Sequence, residues 1–358
     1  MKSKNKSVAI IGCGINGIGT ALAFSEKGYQ VKIFEKGRAF AETSSKSSKL
    51  LHGGLRYLEN GHFGLVQEAL RERAAWVQQV PNFTNIERFY LPIYQGRSRN
   101  RFILYAGVKL YELLAGKHSL GQSKFHSVKD TLQNNSNLKH EGLIGSVSYV
   151  DVQMDDYRIA EWLKDQALNK GVILKENHEV HSFSNNGSLK TNSSSSENYD
   201  FIINAAGPWT KELLNKNNIN SKFDMSLVRG SHLIVNLKIQ CPLVLQSEKD
   251  GRIIFMLPLE NLCLVGTTEH KHLIKDPIVC TKIERDYLLN IINSFLDVHL
   301  TPKDIVDEYA GVRPLVFNSN TRNISKISRD SAIELNESLI NIFGGKWTSG
   351  PSLGLKVS

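Results

Sequence analysis

Cysteine is scarce in this 358-residue chain, and its four residues, Cys13, Cys241, Cys263 and Cys280, lie far apart. With no C-x-x-C pair, a zinc ribbon or an iron–sulfur ligand set is not expected, and so few thiols fit a reducing cytoplasm. No stretch of 18 apolar residues occurs, so a membrane-spanning helix is not expected. Finger, RNP and basic-zipper patterns are missing as well, which places nucleic acid last among partners. Nine prolines and 27 glycines exclude collagen-like and linker-like chains. There is no internal repeat.

What remains is a globular composition, 41% hydrophobic and 22% charged. At roughly 150 residues per domain the length predicts about two domains. The net charge of +9 points to an anionic partner such as a phosphate or an acidic lipid surface, or else to a basic solvated face. Lys2, Lys4 and Lys6 before an apolar run imitate a signal peptide. The run is interrupted by glycines and Asn16, however, and reads instead as a strand (VAIIG), a tight turn and a helix (TALAFSEKG).

Along the chain, residues 7–35 read as a βαβ unit and 38–58 as a long functional loop. Residues 62–78 and 100–115 have helical spacing, and 149–175 read as strand, helix and strand. Residues 182–200 predict an exposed hairpin tip, 201–209 a buried strand ending in a turn, and 226–267 an antiparallel sheet. Residues 281–296 are helical, and 338–350 read as a strand, a glycine turn and the opening of a helix.

Gly12-Cys13-Gly14-Ile15-Asn16-Gly17 is a G-x-G-x-x-G fingerprint placed between a strand and a helix, the context that gives it meaning. The first glycine allows the turn, the second lets main-chain N–H groups approach a pyrophosphate, and the third permits close packing. Glu35 closes the next strand 18 residues after Gly17, where an acid binds ribose hydroxyls and disfavours a 2′-phosphate. The motif alone does not separate FAD from NAD. Asn204-Ala205-Ala206-Gly207-Pro208-Trp209, at the end of a buried strand, resembles a segment found late in FAD-dependent oxidoreductases.

The stretch TSSKSSKLLHGGLRYLE (43–59) places hydroxyls, lysines and a glycine pair in one loop, suited to phosphates and a flat ring. It is similar, almost letter for letter, to the signature of the FAD-dependent, aerobic-type glycerol-3-phosphate dehydrogenases, within the D-amino-acid-oxidase-like flavoproteins. Arg229-Gly-Ser-His232, Leu257-Pro-Leu, Gly266-Thr-Thr268, Gly311-Val-Arg313-Pro, Ser328-Arg329-Asp330 and Phe343-Gly-Gly-Lys346 carry the resemblance across residues 7–350.

The resemblance implies an α/β fold: a Rossmann-like FAD-binding domain with an inserted antiparallel-sheet substrate domain, of the glutathione-reductase-2-like type. The expected FAD domain is 1–80, 145–215 and 305–358, with 81–144 and 216–304 as the cap. It further implies oxidation of sn-glycerol 3-phosphate to dihydroxyacetone phosphate by hydride transfer from C2 to flavin N5, with electrons passing to a quinone or another acceptor. His232 is the expected base, since imidazole titrates near working pH. Arg313 and Arg329 are expected to hold the phosphate with their planar forks, Arg56 and Tyr57 to complete the site, and Lys346 to stabilise charge. Cofactor contacts are expected from Gly12, Gly14, Asn16, Gly17, Glu35, Ser44, Ser45, Ser48, Lys49, Leu51, His52, Gly53, Val180, Ala206, Gly207, Trp209, Gly345, Lys346 and Thr348. No metal is expected.

The family usually continues beyond Phe-Gly-Gly-Lys into a long helix and a helical C-terminal domain. Here 12 residues follow Lys346, reading TSGPSLGLKVS from Thr348, so that domain is expected to be absent. Two alternatives stay open: a related oxidase or dehydrogenase of a hydroxy acid or amino acid, and a truncated flavin-binding remnant without catalysis. The 97–117 stretch sets cations around Phe102, Ile103, Leu104, Val108, Leu110, Leu113 and Leu114. It reads as a peripheral contact on the inner face of the cytoplasmic membrane, or as a core helix with a basic rim.

Overall fold

The run Ser7–Ile11 is apolar at Val8, Ala9, Ile10 and Ile11, the pattern of a strand covered on both faces. It sits near the middle of a six-stranded sheet, in the spatial order 331–336, 339–344, 201–204, 7–11, 30–34 and 173–175. All neighbours run parallel except Ser331–Asn336, which is antiparallel to Leu339–Gly344. The computed structural model describes residues 6–97, 100–192, 195–318 and 331–358, without the side chains of Arg56, Glu59, Asn60 and Asn318.

Alternate residues of the central strand serve two cores. Val8 and Ile10 pack with Ile15, Ile18, Ile159, Leu163, Leu353 and Val357, from helices Ile15–Glu26, Asp156–Asn169 and Gly350–Val357. Ala9 and Ile11 pack instead with Val180, Phe183, Leu189 and Leu214. The segment expected to be an exposed hairpin tip is therefore a three-stranded sheet (180–183, 188–191 and 196–198) whose apolar side covers the parallel sheet.

The second body is a ten-stranded sheet. Its longest pairings join Phe223–Val235 to Ile305–Asn318, and Thr84–Tyr94 to Leu143–Met154, both antiparallel. Helix Lys282–Phe295 packs into one of its cores, and helices Phe63–Gln79 and Arg101–Ala115 into another. Strands Leu143–Met154 and Ile305–Asn318, which fall largely in the segments expected on the FAD side, pair through their ladders into the larger sheet. Alternation predicts a strand but not its sheet. Among the described residues, no helix is long and apolar enough to cross a membrane.

Candidate active site

The fingerprint turn works by close approach. Gly12 has φ +96, and a Cβ there would stand 2.8 Å from Ala205 O. A Cβ on Gly17 would stand 2.0 Å from Gly12 O, so only glycine lets helix Ile15–Glu26 begin against the strand end. The Cys13 N–H donates to Glu35 Oε2 at 2.8 Å and the Gly37 N–H to Oε1 at 2.9 Å, which fixes the Glu35 carboxylate beside the turn. Ser44 Oγ accepts the Ile15 N–H at 3.0 Å, and Asn16 Nδ2 donates to Gly344 O at 2.9 Å. The Trp347 indole donates to Ser44 O at 2.8 Å. Asn16, Ser44 and the turn at Gly344–Gly345 thus converge on one helix start.

A cleft of about 320 Å³ opens at that start. Gly12, Gly14, Glu35, Ser44, Val180, Ala206, Gly207 and Trp209, all expected from the sequence, line it. Lys36 and Arg38 line it too and were not anticipated, although they directly follow Glu35. The Lys36 ammonium lies 3.6 Å from the centre of the Trp209 ring. A helix N-terminus whose Gly14 cap offers no side chain, a carboxylate for a ribose and two cations at the mouth match the ADP half of FAD.

The rest of the long loop leads toward the larger sheet. Ser47 Oγ donates to Asp156 Oδ2 at 2.7 Å, Lys49 pairs with Asp156 Oδ1, and the Tyr309 hydroxyl donates to Ser47 O at 2.7 Å. Ser48 Oγ is 2.9 Å from His232 Nε2. His232 is 2% exposed and stacks on Tyr309, with ring centres 4.8 Å apart. A Cβ on Gly266 would lie 2.1 Å from the imidazole, so the residue opposite His232 in the ladder has to be small. Burial, with Arg313 and then Lys49 beside it, pushes the His232 pKa down to about 3. The imidazole is therefore neutral and free to accept a proton, but it is a weaker base than the near-neutral titration expected from the sequence, because burial and the two neighbouring cations disfavour its charged form.

Arg313 projects from the strand paired with that of His232. Its Nη2 donates to Thr267 Oγ1 at 3.1 Å, and its Nη1 lies 3.3 Å from Glu269 Oε1. Lys346 holds its ammonium 4.8 Å from the Tyr57 ring centre. The Gly53 N–H donates to the Tyr111 hydroxyl at 2.6 Å. That hydroxyl donates to Asp151 at 2.7 Å, and Asp151 pairs with Arg73 at 2.9 Å. This buried chain anchors the His52-Gly53 turn and was not legible in the sequence. His52 lies 6.4 Å from the Phe255 ring. Other expected positions point elsewhere: Ser45 Oγ bonds back to Ala41 O and Glu42 O at 3.3 Å, and the Leu51 side chain packs in the apolar core. Thr348 is buried, its carbonyl accepting the Trp76 indole N–H at 2.8 Å. Arg329 and the Arg56 side chain lie outside the described residues.

A model of the DAO family, FAD dependent oxidoreductases, matches residues 7–357. The chain belongs to this family. The oxidoreductase is similar to the aerobic glycerol-3-phosphate dehydrogenase of Staphylococcus saprophyticus, with 35% identity over 375 residues that cover 100% of this chain and 67% of that protein. Its fold superposes on the glycerol-3-phosphate dehydrogenase of Bacillus halodurans complexed with FAD at a TM-score of 0.78 and 25% identity, covering 100% of this chain and 64% of that one. It also superposes on the L-alpha-glycerophosphate oxidase of Mycoplasma pneumoniae with FAD bound at a TM-score of 0.76 and 18% identity, covering 98% and 93%. The chain thus spans about two thirds of the length of the dehydrogenases it resembles.

Proposed function

We propose that this oxidoreductase converts sn-glycerol 3-phosphate to dihydroxyacetone phosphate. The observation that carries the reading is the placement of the Arg313 guanidinium beside a neutral, buried His232 on paired strands. A phosphate ester needs a guanidinium fork, and a secondary alcohol needs a base at its hydroxyl. The names of the two dehydrogenases similar to this chain support the same substrate.

In this reading Arg313 grips the phosphate, joined by Arg329, Arg56 and Tyr57, while Lys346 steadies developing charge. The substrate's C2 hydroxyl takes the hydrogen-bonding position now held by Ser48 Oγ and gives its proton to His232 Nε2. FAD, when bound, supplies the two-electron acceptor for the hydride leaving C2. Glu35, Ser44 and the fingerprint turn hold its ADP half in the cleft.

Electrons then pass to a quinone or another acceptor. Helix Arg101–Ala115 supports peripheral contact with the inner face of the cytoplasmic membrane. Phe102, Ile103 and Leu113 are 65%, 64% and 74% exposed, while Val108, Tyr111 and Ala115 face the core. Arg101 opens the helix and Lys117 lies in the turn Gly116–His118 that follows it, cations of the kind that suit anionic headgroups. High salt or mild detergent is expected to release the protein from membranes, and a protein found wholly in the supernatant of a salt-free lysate refutes the contact.

The deciding experiment is anaerobic mixing of the flavin-loaded protein with glycerol 3-phosphate while following flavin absorbance at about 450 nm. Bleaching is expected. A persistent yellow colour, with bleaching by a hydroxy acid or amino acid instead, refutes the substrate.

A further inference from the structure

Glu284 is the third residue of helix Lys282–Phe295 and forms a capping box with Thr281. Such a glutamate ordinarily sits near the surface and serves the helix start alone. Here it is 0% exposed and its carboxylate is shared far beyond the helix. Oε2 accepts from Thr281 N–H at 3.1 Å, Thr281 Oγ1 at 2.7 Å and Arg229 Nη2 at 2.7 Å. Oε1 accepts from Ser231 Oγ and from Thr268 Oγ1, both at 2.8 Å. The Thr268 hydroxyl in turn accepts the Ser231 N–H at 2.9 Å. Burial raises the carboxyl pKa, but the hydrogen bonds from Thr281, Arg229, Ser231 and Thr268 outweigh it and hold the group at about 2.

The donors are not scattered. Arg229 and Ser231 belong to the Arg-Gly-Ser-His232 block, and Thr268 to the Gly266-Thr-Thr block. Side chains alternate along a strand, so Ser231 is anchored on the face opposite His232. Thr267, next to Thr268, receives Arg313 Nη2 at 3.1 Å, and Gly266 pairs with His232. We infer that Glu284 is a positioning residue for the oxidation proposed above, its buried carboxylate locking together the two segments that aim His232 and Arg313. The inference rests on that reading of the site. A buried ion pair adds little net stability over an apolar replacement, and what it can supply is a single geometry. This role explains why the two motif blocks carry Arg229, Ser231 and Thr268, none of which reaches substrate in this reading.

The test is stopped-flow reduction of the FAD-loaded protein by glycerol 3-phosphate, with KM and rate expressed per mole of bound flavin. Wild type is compared with Glu284→Gln and with Thr268→Val, an isostere that removes only the bridging hydroxyl. Glu284→Gln is expected to raise KM and slow flavin reduction by about tenfold or more, and Thr268→Val to move both several-fold in the same direction. A purely structural role lowers the flavin-loaded fraction and the melting temperature but leaves both quantities per bound flavin unchanged. That outcome overturns the inference, as does wild-type behaviour of Thr268→Val should Glu284→Gln fail to fold. A wild type that glycerol 3-phosphate does not reduce overturns the substrate reading and this inference with it.

Discussion

Acidification tests the placement of His232 through stability rather than turnover. Folding lowers the imidazole pKa from 6.5 to about 3, chiefly by burial and then by the charges of Arg313 and Lys49. Between those values the unfolded chain holds a proton that the folded chain does not. Stability from this residue is therefore full above pH 6.5 and is lost as pH falls from there toward 3. One proton corresponds to about 1.4 kcal/mol per pH unit, so moving from pH 7 to pH 5 costs the wild type about 2 kcal/mol through His232 alone.

His232→Gln keeps a polar side chain of similar reach and removes the titration. The assay is urea unfolding of the FAD-saturated protein by tryptophan fluorescence at pH 7 and pH 5, for both proteins. Every other titrating group contributes to both and cancels in the difference. Wild type is expected to lose about 2 kcal/mol more than the variant. Equal losses, within about 0.5 kcal/mol, refute the claim that the folded state holds this imidazole neutral.

Arg313→Ala is expected to lower kcat/KM for glycerol 3-phosphate by the equivalent of about 2–4 kcal/mol, and an unchanged value removes Arg313 from the site. Gly17→Ala puts a carbon 2.0 Å from Gly12 O and is expected to abolish FAD retention, read as the flavin-to-protein ratio after gel filtration. A wild-type ratio refutes the close-approach argument. Asp151→Asn leaves Arg73, 1% exposed, without its counter-charge and is expected to cost about 3–5 kcal/mol in urea unfolding. A loss below about 1 kcal/mol shows that the pair is not sealed from water.

What the sequence disclosed follows from how local each constraint is. The fingerprint was legible because its glycines answer to neighbours a few residues away and to one strand end: Gly17 to Gly12, and Gly12 to Ala205. His232 and Arg313 were legible as members of compact motif blocks, and strand pairing brings those blocks together. The supporting chemistry was hidden for the opposite reason. Arg73, Tyr111 and Asp151 meet across separations of 40 and 78 residues, and each alone reads as an ordinary helix or strand residue. Glu284 was the least visible, since an acid at the third position of an amphipathic helix predicts a solvated cap. Only the fold reveals that this helix start is pressed against the strand carrying His232. In the proposed reading the letters around His232 thus have two origins: some face the substrate, and others, such as Ser231 and Thr268, face the Glu284 carboxylate behind the strand. Local sequence pattern cannot separate the two kinds, because they alternate along the same few residues.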